Sequence, residues 1–153
     1  MYKLDSRDKE ILQILQQNGK ANIKEIALKV GLSGTPVYER IKRLEKKGII
    51  SHYSAILDKE KIGLDLTVFC QVSLRTHVKN HIKGFEYAIS GLDEVQESYH
   101  VAGDFDYLLK IVVHDSKIYH RFLVEKLSNL EMVSKVQSNF VMHKTKEKDY
   151  YKL

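Results

Sequence analysis

Two stretches of helical periodicity in this chain are separated by almost nothing, and that spacing constrains the fold more than any other feature. Ile23, Ile26, Ala27 and Val30 recur at helical spacing behind Asn22 and Glu25, a capping-box pair, and Gly31 supplies the stop. The next helix opens at Ser33, so only Gly31 and Leu32 connect the two. A connection that short forces the helices to cross sharply, which is a helix-turn-helix. Leu32 and Val37 flank the Ser33 cap with the spacing of a hydrophobic staple, Pro36 falls in the tolerated first turn, and Gly48 ends the helix after Lys46 and Lys47. An earlier helix is announced by Asp5 and Asp8, carries Ile11, Leu12 and Leu15, and stops at Asn18-Gly19.

On a wheel of about 100° per residue, Ile41 and Leu44 lie within about 40° of Val37, so these three predict the buried stripe of the third helix. The opposite arc holds Thr35, Tyr38, Glu39, Lys42, Arg43 and Lys46. Cations there suit phosphates, and the Thr, Tyr, Glu and Arg side chains suit base edges in a major groove, which makes double-stranded DNA the expected partner. Arg40 flanks the buried stripe; a phosphate or a carboxylate would each satisfy it.

Charge separates this first third from the rest. Residues 1–53 carry 11 Lys+Arg against 6 Asp+Glu, whereas residues 54–153 carry 14 against 14, so the whole net charge of +5 sits in the helical part. A basic module joined to a neutral one implies that the first meets a polyanion and the second does something else.

The neutral part changes periodicity. Ile49 to Leu57 reads as an extended connector and 58–63 as a turn. Thr67–Arg75 alternates Val68, Cys70, Val72 and Leu74 against Phe69, Gln71, Ser73 and Arg75, a strand with one apolar face. A helix follows with Ile82, Phe85, Ile89 and Leu92, then strands over Val95–Ala102 and Tyr107–Val113, then a helix with Ile118, Phe122, Leu123 and Leu127, and a last strand from about Val133 to His143. The expected class is α+β: a helix-turn-helix domain over 1–50, a connector over 51–63, and a ferredoxin-like βαββαβ sandwich over 64–153. An internal echo supports two similar halves. Ser90-Gly91-Leu92-Asp93-Glu94-Val95 and Ser128-Asn129-Leu130-Glu131-Met132-Val133 share the pattern Ser-x-Leu-acidic-x-Val, and the same shift maps Phe85 and Ile89 onto Leu123 and Leu127.

Other function classes find little support. Apolar runs such as Ile111-Val112-Val113 fall far short of the roughly 18 residues of a membrane span, so no membrane association is expected. The opening residues lack the apolar stretch of a signal peptide, and the lone Cys70 makes no internal disulfide, which predicts the cytoplasm. None of the seven histidines forms a zinc pattern with Cys70, and no Gly-rich phosphate loop occurs. The expectation is a protein that is not an enzyme and holds neither metal nor cofactor, with Cys70 a small buried hydrophobe.

Leu32-Ser33, Val37, Arg40-Ile41, Leu44-Glu45 and Gly48-Ile49-Ile50 resemble the recognition-helix signature of the Lrp/AsnC, or feast/famine, transcription regulators, and Leu4-Asp5 with Ile11-Leu12 is similar to that family's opening. The resemblance covers nearly the whole chain and implies that residues 64–153 form the family's RAM-type effector domain. It further implies a homodimer that assembles into tetramers or octamers, and a small amino acid as effector, bound where dimers meet. The loop Gly103, Asp104, Phe105 and Asp106 looks like the family's Gly-Asp-aromatic-Asp segment. Loop N–H groups can hold an α-carboxylate and Asp104 or Asp106 an α-ammonium, while a Gly-Asp loop also serves as an ordinary hairpin connector. The implied function is sequence-specific transcription regulation; an architectural, chromosome-associated DNA binder without an effector is the alternative.

Overall fold

The computed structural model describes residues 2–148 and 150–153; Met1, inside the expected 1–50 module, and Asp149, inside 64–153, lie outside the described residues. It divides into two units, one of residues 1–56 with 145–153 and one of residues 57–144.

The first unit is built from α1 (Ser6–Gln17), α2 (Ile23–Val30) and α3 (Gly34–Lys46). Both predicted capping boxes form. The Asp8 amide donates to Asp5 at 2.7 Å, and the Glu25 amide donates to Asn22 at 3.0 Å, each answered by the reciprocal side chain. Gly31 closes α2 in the left-handed region at φ 64°, where a side chain would strain the backbone. Ser33 is the N-cap of α3 by position, but its side chain makes no capping bond. Ile11, Ile26, Ala27, Val30, Val37 and Ile41 form the core, with Leu32 packed against it as the staple spacing requires.

Residues 145–153 differ from expectation, since they group with these helices rather than with the sandwich. The Gln16 amide grips one residue of this tail, accepting from the Tyr151 N–H at 2.7 Å and donating to its carbonyl at 3.2 Å. A side-chain amide here imitates a neighbouring strand, which no pattern within the tail announces.

The second unit runs β1 (Leu66–Leu74), α4 (Lys79–Ser90), β2 (Val95–His100), β3 (Tyr107–Val113), α5 (Ser116–Arg121, continued by a π-helical stretch over Phe122–Leu127) and β4 (Val133–Phe140), preceded by a 3-10 turn at Glu60–Ile62. The strands pair antiparallel in the order β2-β3-β1-β4. Each helix therefore crosses over one intervening strand, as the ferredoxin-like arrangement demands. Phe85 and Ile89 from α4, with Tyr119, Phe122 and Leu127, pack on Val68, Cys70, Val72, Leu109 and Ile111, so both helices cover one face. The other face carries Phe69, Gln71, Ser73, Leu108, Lys110 and Val112, all half-buried.

The echoed hexapeptides adopt the same hydrogen bonds. Leu92 N–H donates to Ile89 and Val95 to Leu92 at 3.1 and 3.0 Å; at the matching positions Leu130 donates to Leu127 and Val133 to Leu130 at 3.3 and 2.9 Å. Three details depart from the expected elements. β2 stops at His100 because Val101 donates to the Asp106 carbonyl and closes the hairpin loop. β4 ends at Phe140 rather than near His143. The last helix is not regular. At 3.6 residues per turn Phe122 and Leu127 would point about 140° apart, and the wider turn, closed by Ser128 N–H donating to Leu123, brings both into the core.

Cys70 is fully buried, within 2.8 Å of the Tyr119 hydroxyl, which in turn meets Ser138. Burial pushes its thiol up, so it stays protonated. Tyr107, fully packed against Phe85, is pushed up to about 12 by burial and by donating to Glu86. The folded protein thus keeps this proton where the unfolded chain, with a phenol near 10, loses it. The resulting stability is complete below about pH 10 and disappears as pH rises toward 12. Urea unfolding across this alkaline range should show a falling stability, and Tyr107→Phe should flatten that fall; identical slopes in both proteins would refute the assignment.

Candidate nucleic-acid interface and effector loop

The apolar stripe of α3 is buried as the wheel predicts, Val37 and Leu44 at 0% and Ile41 at 7% exposure. Thr35, Tyr38, Glu39, Lys42, Arg43 and Lys46 are all exposed along the helix. They are not equivalent. Lys42 lies 2.9 Å from Glu45 and 5.8 Å from the Tyr38 ring centre, and Glu45 also accepts from Tyr53 at 3.1 Å. The Lys42 ammonium holds the Glu45 carboxyl below the usual carboxylate range. On the other flank Arg43 sits 3.0 Å from the carboxylate of Asp8 and over the Tyr2 ring. Arg40 reaches the same carboxylate at 2.7 Å, so its partner is a carboxylate. Thr35, Tyr38, Glu39, Lys42 and Lys46 share the outward arc, while Arg43 turns toward α1.

The expected effector loop also divides. Asp106 points back at β1: one oxygen accepts the Leu74 N–H at 2.7 Å and the other lies 2.7 Å from His77. The Leu74 amide, with His77 second, holds this carboxyl below its ordinary value. Asp106 is therefore committed to anchoring the loop. Gly103 adopts φ 148°, a conformation that penalises any side chain, although a Cβ would meet open space. Asp104 and Phe105 line a cavity of about 350 Å³ together with Gln71, Ser73, Lys135 and Gln137. These last four come from β1 and β4, and their only signal in sequence is that they are polar residues on the uncovered face of a strand.

The cavity offers one carboxylate, one ammonium, two amides, a hydroxyl and an aromatic ring, which suits a small zwitterion more than a nonpolar ligand. Among the described residues no cluster of three His, Cys, Asp or Glu side chains could hold a metal ion, and no helix is long and apolar enough to cross a membrane.

A helix-turn-helix in one unit and a ligand-sized polar cavity in the other describe a regulator that meets DNA through the first and a small molecule through the second. Family comparisons agree: residues 4–51 match winged helix-turn-helix DNA-binding domains, and residues 67–151 match the Lrp/AsnC ligand binding domain. The leucine-responsive regulatory proteins of Salmonella typhimurium and Escherichia coli K12 are each 38% identical over 144 residues, spanning 94% of this chain and 88% of theirs. A Neisseria meningitidis transcriptional regulator solved with L-Met superposes with a TM-score of 0.91 at 34% identity, covering 95% of this chain and 94% of that one. An AsnC family regulator from Agrobacterium tumefaciens gives 0.90 at 36%, covering 94% of each. The chain belongs to the Lrp/AsnC family and is a transcription regulator with a DNA-binding and a ligand-binding unit.

Proposed function

We propose that this protein binds DNA sequence-specifically through α3 and that its DNA-bound homo-oligomer responds to a small amino acid held beside Gly103, Asp104, Phe105 and Asp106. The observation that carries the reading is the cavity that places Asp104 and Lys135 in one lining, opposite charges for an α-ammonium and an α-carboxylate. The Neisseria relative solved with L-Met supports it. Thr35, Tyr38, Glu39, Lys42 and Lys46 face the duplex, with Arg43 at their flank. Two such helices in a dimer read half-sites about 34–36 Å apart or a multiple of it. The protein works in the cytoplasm with its DNA, and we assign it no catalytic step and no cofactor.

Thermal shift and titration calorimetry against each of the common amino acids test the effector. A ligand that binds only the folded state raises its melting temperature. The responsive amino acid should alter operator affinity by about 5- to 150-fold. Asp104→Ala should abolish that response and leave DNA binding without effector intact. No heat, no shift and no change in operator affinity with any amino acid would remove the effector and favour an architectural DNA binder.

A further inference from the structure

An ionic cluster ties the start of α1 to one flank of the reading helix. Asp8 is 1% exposed, yet its carboxylate receives Arg40 at 2.7 Å, Arg43 at 3.0 Å and the Tyr2 hydroxyl at 3.1 Å. Arg40 also binds Asp5 at 2.5 Å, and Asp5 caps α1 by accepting the Asp8 amide. The N-terminus of α1 and one flank of α3 thus share a single knot of two carboxylates and two guanidiniums. A buried carboxylate needs its partners, so the arrangement tolerates little displacement. Arg40 and Arg43 lie at about −60° and −120° from Val37 on the helical wheel. A carboxylate that holds both restrains rotation of α3 about its own axis. The packing of Val37, Ile41 and Leu44 fixes which face of α3 meets the core, and the two charge-assisted guanidinium contacts add a directional restraint at the edge of that face.

We propose that Asp8 is a positioning residue for DNA reading: by gripping Arg40 and Arg43 it sets the rotation with which Thr35, Tyr38 and Glu39 meet base edges, and it keeps the Arg43 guanidinium out of the base-reading set. The proposal rests on α3 being the reading helix. It gives Arg43 a different role from the base contact that its place on the outward arc suggests.

The test uses the full chain and a random-sequence duplex pool. Duplexes enriched by the wild type are compared with their single-base-pair variants and a shuffled duplex, all below the thermal transition of each protein. Asp8→Asn should reduce the ratio of enriched to shuffled affinity by about tenfold or more, flattening preference across the whole half-site. It should also steepen the salt dependence by about one unit as a released guanidinium takes a phosphate. Arg43→Gln, which removes only the exposed partner, should flatten preference mildly and uniformly. A folded Asp8→Asn protein with unchanged ratio and profile overturns the proposal. So does an Arg43→Gln protein that loses preference at one base pair alone, and this second variant decides the matter if Asp8→Asn does not fold. Failure of the wild type to enrich any sequence would instead refute α3 as a reading helix, and the role of Asp8 with it.

Discussion

Phe85→Ala should cost the unit of residues 57–144 about 3–5 kcal/mol, the range for emptying a buried phenylalanine site. Phe85 is 0% exposed in the middle of α4, and its ring lies 4.6 Å from that of Tyr107 on β3 at a tilt of 48°. The side chain therefore joins helix to sheet at a point where the neighbours, Ile89, Leu109 and Ile111 among them, are themselves fixed by strand register and helix packing. Little can move in to refill the space, and the aromatic pair is lost as well. Denaturant unfolding with a probe in this unit measures the cost. A loss below about 1 kcal/mol, the level of an average substitution, would show that α4 does not rest on the sheet in this way.

The second large effect concerns salt. Replacing Lys42 and Lys46 together by alanine should make log affinity for DNA less dependent on log salt by about 1.8 units per bound chain, at about 0.9 for each phosphate contact removed. The loss should be nearly the same on any duplex, because phosphates carry no sequence information directly. Tyr38→Ala should behave differently, costing about 1–3 kcal/mol at particular base pairs while leaving the salt slope alone. Filter binding over a series of salt concentrations separates the two patterns. An unchanged slope in the double lysine variant would move the phosphate contacts to another surface, since Lys42 and Lys46 are the cations on the outward arc of α3.

The capping boxes at Asp5-Asp8 and Asn22-Glu25, the left-handed Gly31 turn and the stripe of Val37, Ile41 and Leu44 were legible from the residues alone. Each depends on groups three or four positions apart, and helical geometry brings such groups together whatever the rest of the chain does. The order of strands and helices in the second unit was legible for the same reason, and so was the repeated helix-to-strand junction, whose hydrogen bonds span three residues at both Leu92 and Leu130. Other features joined residues far apart in the chain. Asp8 meets Arg40 and Arg43 across 32 and 35 positions, Asp106 meets Leu74 across 32, and Gln16 meets Tyr151 across 135. No periodicity relates such partners, so neither the diversion of Arg43 from the outward arc, nor the anchoring use of Asp106, nor the place of the tail could be read in advance. The cavity is of this second kind: Asp104 and Phe105 were visible as a loop motif, but Gln71, Ser73, Lys135 and Gln137 meet them only because β1 and β4 pair with Gln71 opposite Gln137 and Ser73 opposite Lys135. Local sequence determined the elements and the faces they present. Tertiary packing decided which charges on those faces remain available to a ligand, because a carboxylate or guanidinium is claimed by whatever partner the fold brings within hydrogen-bonding reach.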